Sequence, residues 1–266
     1  MLRCKMNDRV NYETRIICFL DILGFKELIN STIQDNGEDN EKNIGNLIKA
    51  LTKFKDFSLI NQNRSTKVTW FSDTLVFSFL ISEESGVFDA LLDIQLILAD
   101  LVFEKILCRG GVAIGKLIHT EELLFGPALI DAYYYESKCA MYPRVIVPEE
   151  IISIGKKYHA KHHCSGTEER FIKGLIEKDF DGMYYIDYFR SIQSEFDEPH
   201  YNYILYLHEL SKIIDKGLQS ANPAIRIKYL WMKEKYNSVV KDIKSNLDNW
   251  NDDIEVKNAY TTLPIF

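Results

Sequence analysis

The chain has 266 residues, 46% of them hydrophobic and 12% aromatic, which allows one large domain or a domain with an extension. A net charge of −7 argues against a nucleic-acid surface. The longest apolar stretch, residues 87–107, is interrupted by Asp89, Asp93, Asp100 and Glu104 and so does not read as a membrane span.

The first thirteen residues are polar and lack the apolar segment of a signal peptide. The five cysteines, at 4, 18, 108, 139 and 164, are odd in number and contain no CxxC pair. Reduced thiols in a cytoplasmic protein are the expectation.

Residues 15–20 form an apolar, β-branched run that reads as a buried strand. The strand ends in Asp21, followed by a glycine turn at Gly24 and a helix over 25–33. A carboxylate at that point must be exposed at the strand end, paired, or bound to a metal. The amides of Ile22, Leu23, Gly24 and Phe25 would open the helix and face an anion. A polar loop follows over 35–42. A second helix is expected over 43–59, with Ile44, Leu47, Ile48, Leu51 and Phe54 at helical spacing. After a turn at 61–65, residues 67–80 read as two strands folded about Ser72-Asp73, which puts a second carboxylate at a tight turn.

Residues 87–107 form the clearest helix, and its four acids share one face that reads as solvated. The next strand is Arg109-Gly-Gly-Val-Ala-Ile-Gly115, where Gly110 and Gly111 admit either another backbone or a ligand. Pro127 suits the first turn of a helix running to Ala140. A strand over 142–147 and a helix opened by Pro148-Glu149-Glu150 follow. The polar segment 156–167, with His159, His162, His163 and Cys164, reads as a loop, since no second half of a zinc site exists elsewhere. A turn at Asp181-Gly182 leads into a strand. Residues 199–249 carry two helical stripes, and the tail is expected to be extended.

This order predicts an α+β fold: a ferredoxin-like antiparallel sheet with helices on one face and a helical C-terminal extension. The expected division is a catalytic domain over 1–190 and an extension over 191–266 packed on it. In that topology Asp21 and Asp73 meet at one edge of the sheet. Two carboxylates so placed suit two divalent ions, Mg²⁺ or Mn²⁺, which keep positions for water and phosphate oxygens.

Phe19-Leu-Asp-Ile-Leu-Gly-Phe25 resembles the metal-binding strand of class III nucleotidyl cyclases, F-x-D-I-x-G-F. Ser72-Asp73 resembles that family's second metal position, Arg109 to Gly115 its R-x-G-I-x-x-G strand, and Phe125 to Ser137 its W-G-x-x-V-N-x-A-x-R-x-E-S helix. The four segments occur in the family's order. The resemblance implies a homodimer with sites at the interface, metal held by Asp21, Asp73 and the Ile22 backbone carbonyl, and conversion of a nucleoside triphosphate to a 3′,5′-cyclic monophosphate.

The departures matter. Ile130 and Tyr134 stand where the family has its transition-state Asn and Arg, while Leu123 and Thr69 stand where many adenylate cyclases have their base-reading Asp and Lys. Together with segments such as RGGVAIG and KYLWMKEKYN, this resembles the bacterial pyrimidine cyclases of Pycsar antiphage defence. That resemblance implies a UTP or CTP substrate and a product read by a separate effector protein. Thr69, Trp70 and Tyr134 are the candidate base contacts. Arg109, Lys138 and Arg144 are the candidate phosphate contacts.

Overall fold

The computed structural model describes residues 11–60, 65–249 and 254–266. Four strands form the centre of the sheet: β1 (Glu13–Ile22), β2 (Lys67–Phe71), β3 (Thr74–Leu80) and β4 (Cys108–His119). They lie in the order β2-β3-β1-β4, all neighbours antiparallel, which is the ferredoxin-like arrangement. Between them run α1 (Phe25–Asn30), α2 (Glu41–Ile60) and α3 (Gly86–Phe103). A short strand, β5 (Leu124–Phe125), pairs with the end of β4 and leads into α4 (Pro127–Tyr134).

The remainder extends the sheet and then leaves it. Strand β6 (Val145–Val147) joins β4, and α5 (Glu150–Lys157) and α6 (Ser165–Leu175) precede the pair β7 (Ile176–Lys178) and β8 (Tyr184–Ile186). Helices α7 (Pro199–Leu218), α8 (Pro223–Asn246) and α9 (Ile254–Thr261) complete the chain.

The α+β class, the ferredoxin-like centre and the C-terminal helices are as the sequence predicts. Two details differ. The sheet is mixed, because β6 runs parallel to β4. The helices also do not all share one face. Alternation along β1 sends Ile16, Cys18, Leu20 and Ile22 into the large core with α3, α7 and α8, while Ile17 and Phe19 face α4 through Ala128 and Ala132.

Local corrections follow the same logic. Helix α1 ends at Asn30 instead of residue 33. The polar segment 156–167 is partly helical at both ends, and α6 and β7 were not legible in its charge-rich sequence. The tail is helical over Ile254–Thr261, anchored by buried Tyr260 and Leu263. The turn expected at 61–65 falls, but for Ser65, outside the described residues, as does Cys4. The four described cysteines are unpaired. Among the described residues no helix is long and apolar enough to cross a membrane.

Candidate active site

Asp21 is the last same-face residue of β1 before the chain turns. Its backbone pairs with Thr74 of β3 on one side and Arg109 of β4 on the other. The β2–β3 hairpin therefore brings its two-residue turn against the end of β1. Ser72 takes a left-handed φ of 57°, as the first position of a two-residue hairpin turn demands. The Asp73 carbonyl accepts the Ile22 amide at 3.2 Å, locking the turn in place. The two aspartates, distant in sequence, are thus neighbours.

Their electrostatics agree with that closeness. Burial pushes the Asp21 carboxyl above its usual range, Arg109 opposes the shift, and Asp73 adds to it by its charge and by a side-chain hydrogen bond. Like charges this close disfavour double ionisation, and a cation relieves the conflict. The donor set thus fits a hard divalent ion: two carboxylates on adjacent backbone segments, with the Ile22 carbonyl next to them. No cluster of three metal-ligating side chains occurs among the described residues. Any ion here would complete its shell with backbone, water or ligand oxygens.

Arg109 lies beside this pair. Its Nε and a terminal nitrogen each stand 3.4 Å from Asp21 Oδ2, and a terminal nitrogen stands 2.7 Å from Glu136 Oε1. Glu136 is buried, and burial raises its carboxyl, with Arg109 pulling it back down. Its position comes from an irregular segment. Helix α4 passes into a π-helical turn, Tyr135–Cys139, closed by the Ala140 amide on the Tyr135 carbonyl at 2.7 Å.

Gly111 makes that turn possible. A Cβ there would lie 2.5 Å from Tyr135 Cβ and 2.6 Å from the Ala132 carbonyl oxygen. The close approach at Gly111 is therefore made by backbone, not by a ligand. Gly111→Ala should destabilise the fold by about 1–3 kcal/mol through overpacking. Urea denaturation measures this, and an unchanged midpoint would show that the π turn can yield.

The other sequence candidates divide. Of the four amides expected to face an anion, Ile22 and Leu23 donate to the carbonyls of Asp73 and Leu107 and are engaged. Gly24, with φ of 73°, and Phe25 begin α1. Arg144 is not a phosphate contact: it is fully buried and paired with Asp179 and Asp181. Thr69 shares the Asp21 face of the sheet, but its hydroxyl meets His119 Nε2 at 3.0 Å. Trp70, one residue along, projects to the opposite face, and its indole donates to the Ser72 carbonyl at 3.0 Å. Tyr134 and Lys138 are solvent-exposed on α4 and the π turn.

Two residues were missed. Glu136 lies inside a motif that resembles the family's helix, four residues after buried Ala132, yet its charge masks the burial that this spacing gives it. Lys228 comes from α8 in the extension. Burial and nearby Arg109 lower its pKa, while Glu27 and Asp21 act in the other direction, so a second cation stands in the field of the aspartate site. Only the fold brings it there. The histidine segment also resolves: His163 Nδ1 meets buried Glu168 at 3.0 Å.

No protein-family model matches the chain, and no curated protein matches it. Among solved structures, two of a bacterial light-regulated adenylyl cyclase show a partial likeness. One is 13% identical, covers 62% of this chain and 58% of its own, and has a TM-score of 0.36. The other is 15% identical, covers 53% of this chain and 79% of its own, and has a TM-score of 0.35. The chain therefore spans well under two thirds of the first structure. Likenesses of this size assign neither a family nor an activity.

Proposed function

We propose that the chain is a nucleotide cyclase acting on a pyrimidine nucleoside triphosphate, UTP ahead of CTP. The observation that supports this reading is the meeting of Asp21 and Asp73 at one sheet edge, with Arg109 beside them. In the reaction the ribose 3′-oxygen bonds to the α-phosphorus, the bond from that phosphorus to the pyrophosphate oxygen breaks, and the 3′-hydroxyl proton leaves to water. The products are a 3′,5′-cyclic monophosphate and pyrophosphate.

Asp21, Asp73 and the Ile22 carbonyl would hold two divalent ions, Mg²⁺ or Mn²⁺, which supply positive charge to the attacking and leaving oxygens. The remaining work belongs to the chain. The Asp21 and Asp73 carboxylates fix the site at the junction of β1 and the hairpin turn. Arg109 offers a planar fork to phosphate oxygens. Lys228 adds charge from the extension. The π turn beneath Glu136 keeps Arg109 in register with the strand end.

The pyrimidine assignment rests on the departures at Leu123 and Thr69. Thr69 has a neutral partner: burial first, then Arg15 and Lys67, pushes His119 down to about 4. An uncharged hydroxyl–imidazole pair suits a small neutral base edge. A homodimer is part of the proposal, supported by exposed apolar side chains: Phe71, beside the hairpin turn, is 80% exposed and Ile130, on α4, 69%. An antiphage second-messenger role, with the product read by a separate effector, rests on the sequence resemblance alone. Phage plating with and without the neighbouring gene tests it.

A product assay with all four triphosphates and Mn²⁺, read by mass spectrometry, is expected to yield cyclic UMP, with cyclic CMP second. A product from ATP or GTP alone would make the chain a purine cyclase. One observation favours a second reading, a degenerate module that senses nucleotide: Ile130 and Tyr134 supply neither the amide nor the guanidinium of the family's transition-state pair. Nucleotide binding without product under every metal would establish that reading and end the enzymatic one.

A further inference from the structure

Arg109 is held unequally. Its contacts to Asp21 are long, 3.4 Å from both nitrogens, whereas its contact to Glu136 is 2.7 Å. The Glu136 side chain is 3% exposed, against 29% for Arg109 and 21% for Asp21. Glu136 Oε1 meets Arg109 without hydrogen-bond alignment and has no hydrogen-bond partner among the described residues. A buried, under-satisfied carboxylate demands an explanation. The backbone beneath it is also unusual, a π turn seated on a glycine whose Cβ would press against Tyr135 and the Ala132 carbonyl. Such turns are frequent at functional sites.

Consider what Arg109 would do without that restraint. Its guanidinium already faces Asp21 and is a permanent cation. Free to move, it would close on Asp21 as a tight pair and occupy the carboxylate that a divalent ion needs. Glu136 draws it the other way, leaving the Asp21–Asp73 edge open.

We infer that Glu136 is a positioning residue that retains Arg109 and thereby keeps Asp21 available to divalent cations. This rests on the metal-dependent reading proposed above. Arg109 is a competitor for Asp21, and Glu136 is what makes the competition weak. Asp21 would be free to hold an ion once its long contacts to Arg109 loosened, with the Glu136 contact retained. Arg109, held by Glu136, would remain beside Asp21 as a cation for an anionic ligand.

The test is Mn²⁺ binding to the full chain by titration calorimetry, with no turnover involved. Glu136→Gln removes the charge in the same shape. Glu136→Asp keeps the charge but shortens the reach to Arg109. Both should raise the Mn²⁺ Kd roughly tenfold, as loss of an outer-sphere partner does. The penalty should vanish in an Arg109→Gln background, and Arg109→Gln alone should bind Mn²⁺ several-fold more tightly than the parent.

A wild-type Kd in Glu136→Asp, or an undiminished penalty in the Arg109→Gln background, would overturn the inference, since Glu136 would then act by its charge alone or as a direct ligand. Should the Glu136 variants not fold, Arg109→Gln decides: unchanged or weaker Mn²⁺ binding refutes the competition. If the parent chain binds no Mn²⁺, the two-metal reading falls and this inference with it. Parent binding combined with indifferent Glu136 variants removes the inference only.

Discussion

Asp21→Asn and Asp73→Asn should each reduce turnover about a thousandfold or more, the factor expected when about 4 kcal/mol of metal-borne transition-state stabilisation is lost. The fold should not suffer. Both side chains sit at a strand end and a turn, and their backbone bonds, such as Ile22 to the Asp73 carbonyl, remain after substitution. Burial is the main cause of the raised Asp21 carboxyl, and the Asp73 charge adds to it, so in the absence of a cation each aspartate disfavours ionisation of the other. Replacing one with a neutral isostere removes that repulsion, so the metal-free variant should melt at the parent temperature or a few degrees higher. Mn²⁺ should raise the melting temperature of the parent and leave both variants unmoved, because only the parent binds the ion in its folded state. Turnover within tenfold of the parent in either variant would remove the two-carboxylate mechanism. A collapse in melting temperature would instead make these aspartates structural.

The strand-borne half of this site was legible because local pattern and topology agree there. A β-branched run ending in an acid, and a short turn holding an acid between two apolar strands, are both short-range signals. The ferredoxin-like order then forces the two ends together. Arg109 was legible only through the resemblance of its strand to the cyclase pattern, and its place opposite Asp21 comes from the register of β1 and β4.

Glu136 and Lys228 were not legible, and the physical reasons differ. Glu136 follows buried Ala128 and Ala132 at helical spacing, yet a charged residue at the end of that short stripe reads as its solvated limit, and its burial comes with the π turn packed against β4. The signal was indirect: Gly111, on the neighbouring strand β4, had to lack a Cβ for something to approach. Lys228 is one of many lysines on a long amphipathic helix, and nothing local separates it from solvated neighbours. Its place depends on how α8 is seated. Arg144 misled for the opposite reason. An arginine beside a strand invites a phosphate, yet here the acids that satisfy it, Asp179 and Asp181, arrive from the turn before β8.

That seating rests on Asp179, and Asp179→Ala should have the largest effect on stability. Asp179 is almost fully buried and joins three cationic or polar groups from two parts of the chain. It pairs with Arg144, accepts the Trp231 indole N–H at 2.7 Å, and stands 3.1 Å from Lys235 Nζ. Trp231 also stacks on Tyr142, with ring centres 5.6 Å apart and planes 6° from parallel. Removing the carboxylate leaves Arg144, with no exposed surface, balanced only by the more accessible Asp181. Losing one partner of a buried ion pair costs about 3–5 kcal/mol, more than any single contact in the cluster contributes. Asp179→Asn, which keeps an acceptor for the Trp231 indole, should cost less than the alanine variant.

Because Trp231 and Lys235 belong to α8, the damage should concentrate there. Hydrogen exchange in Asp179→Ala is expected to quicken along α8 before it does so in β1 or β4. Lys228, one turn before Trp231, would leave the aspartate site with it, so a pyrimidine triphosphate should bind more weakly even where the sheet remains intact. A urea midpoint shift equivalent to less than about 1 kcal/mol, or uniform exchange across the chain, would mean that the apolar face of α8 holds the helix without this ionic cluster.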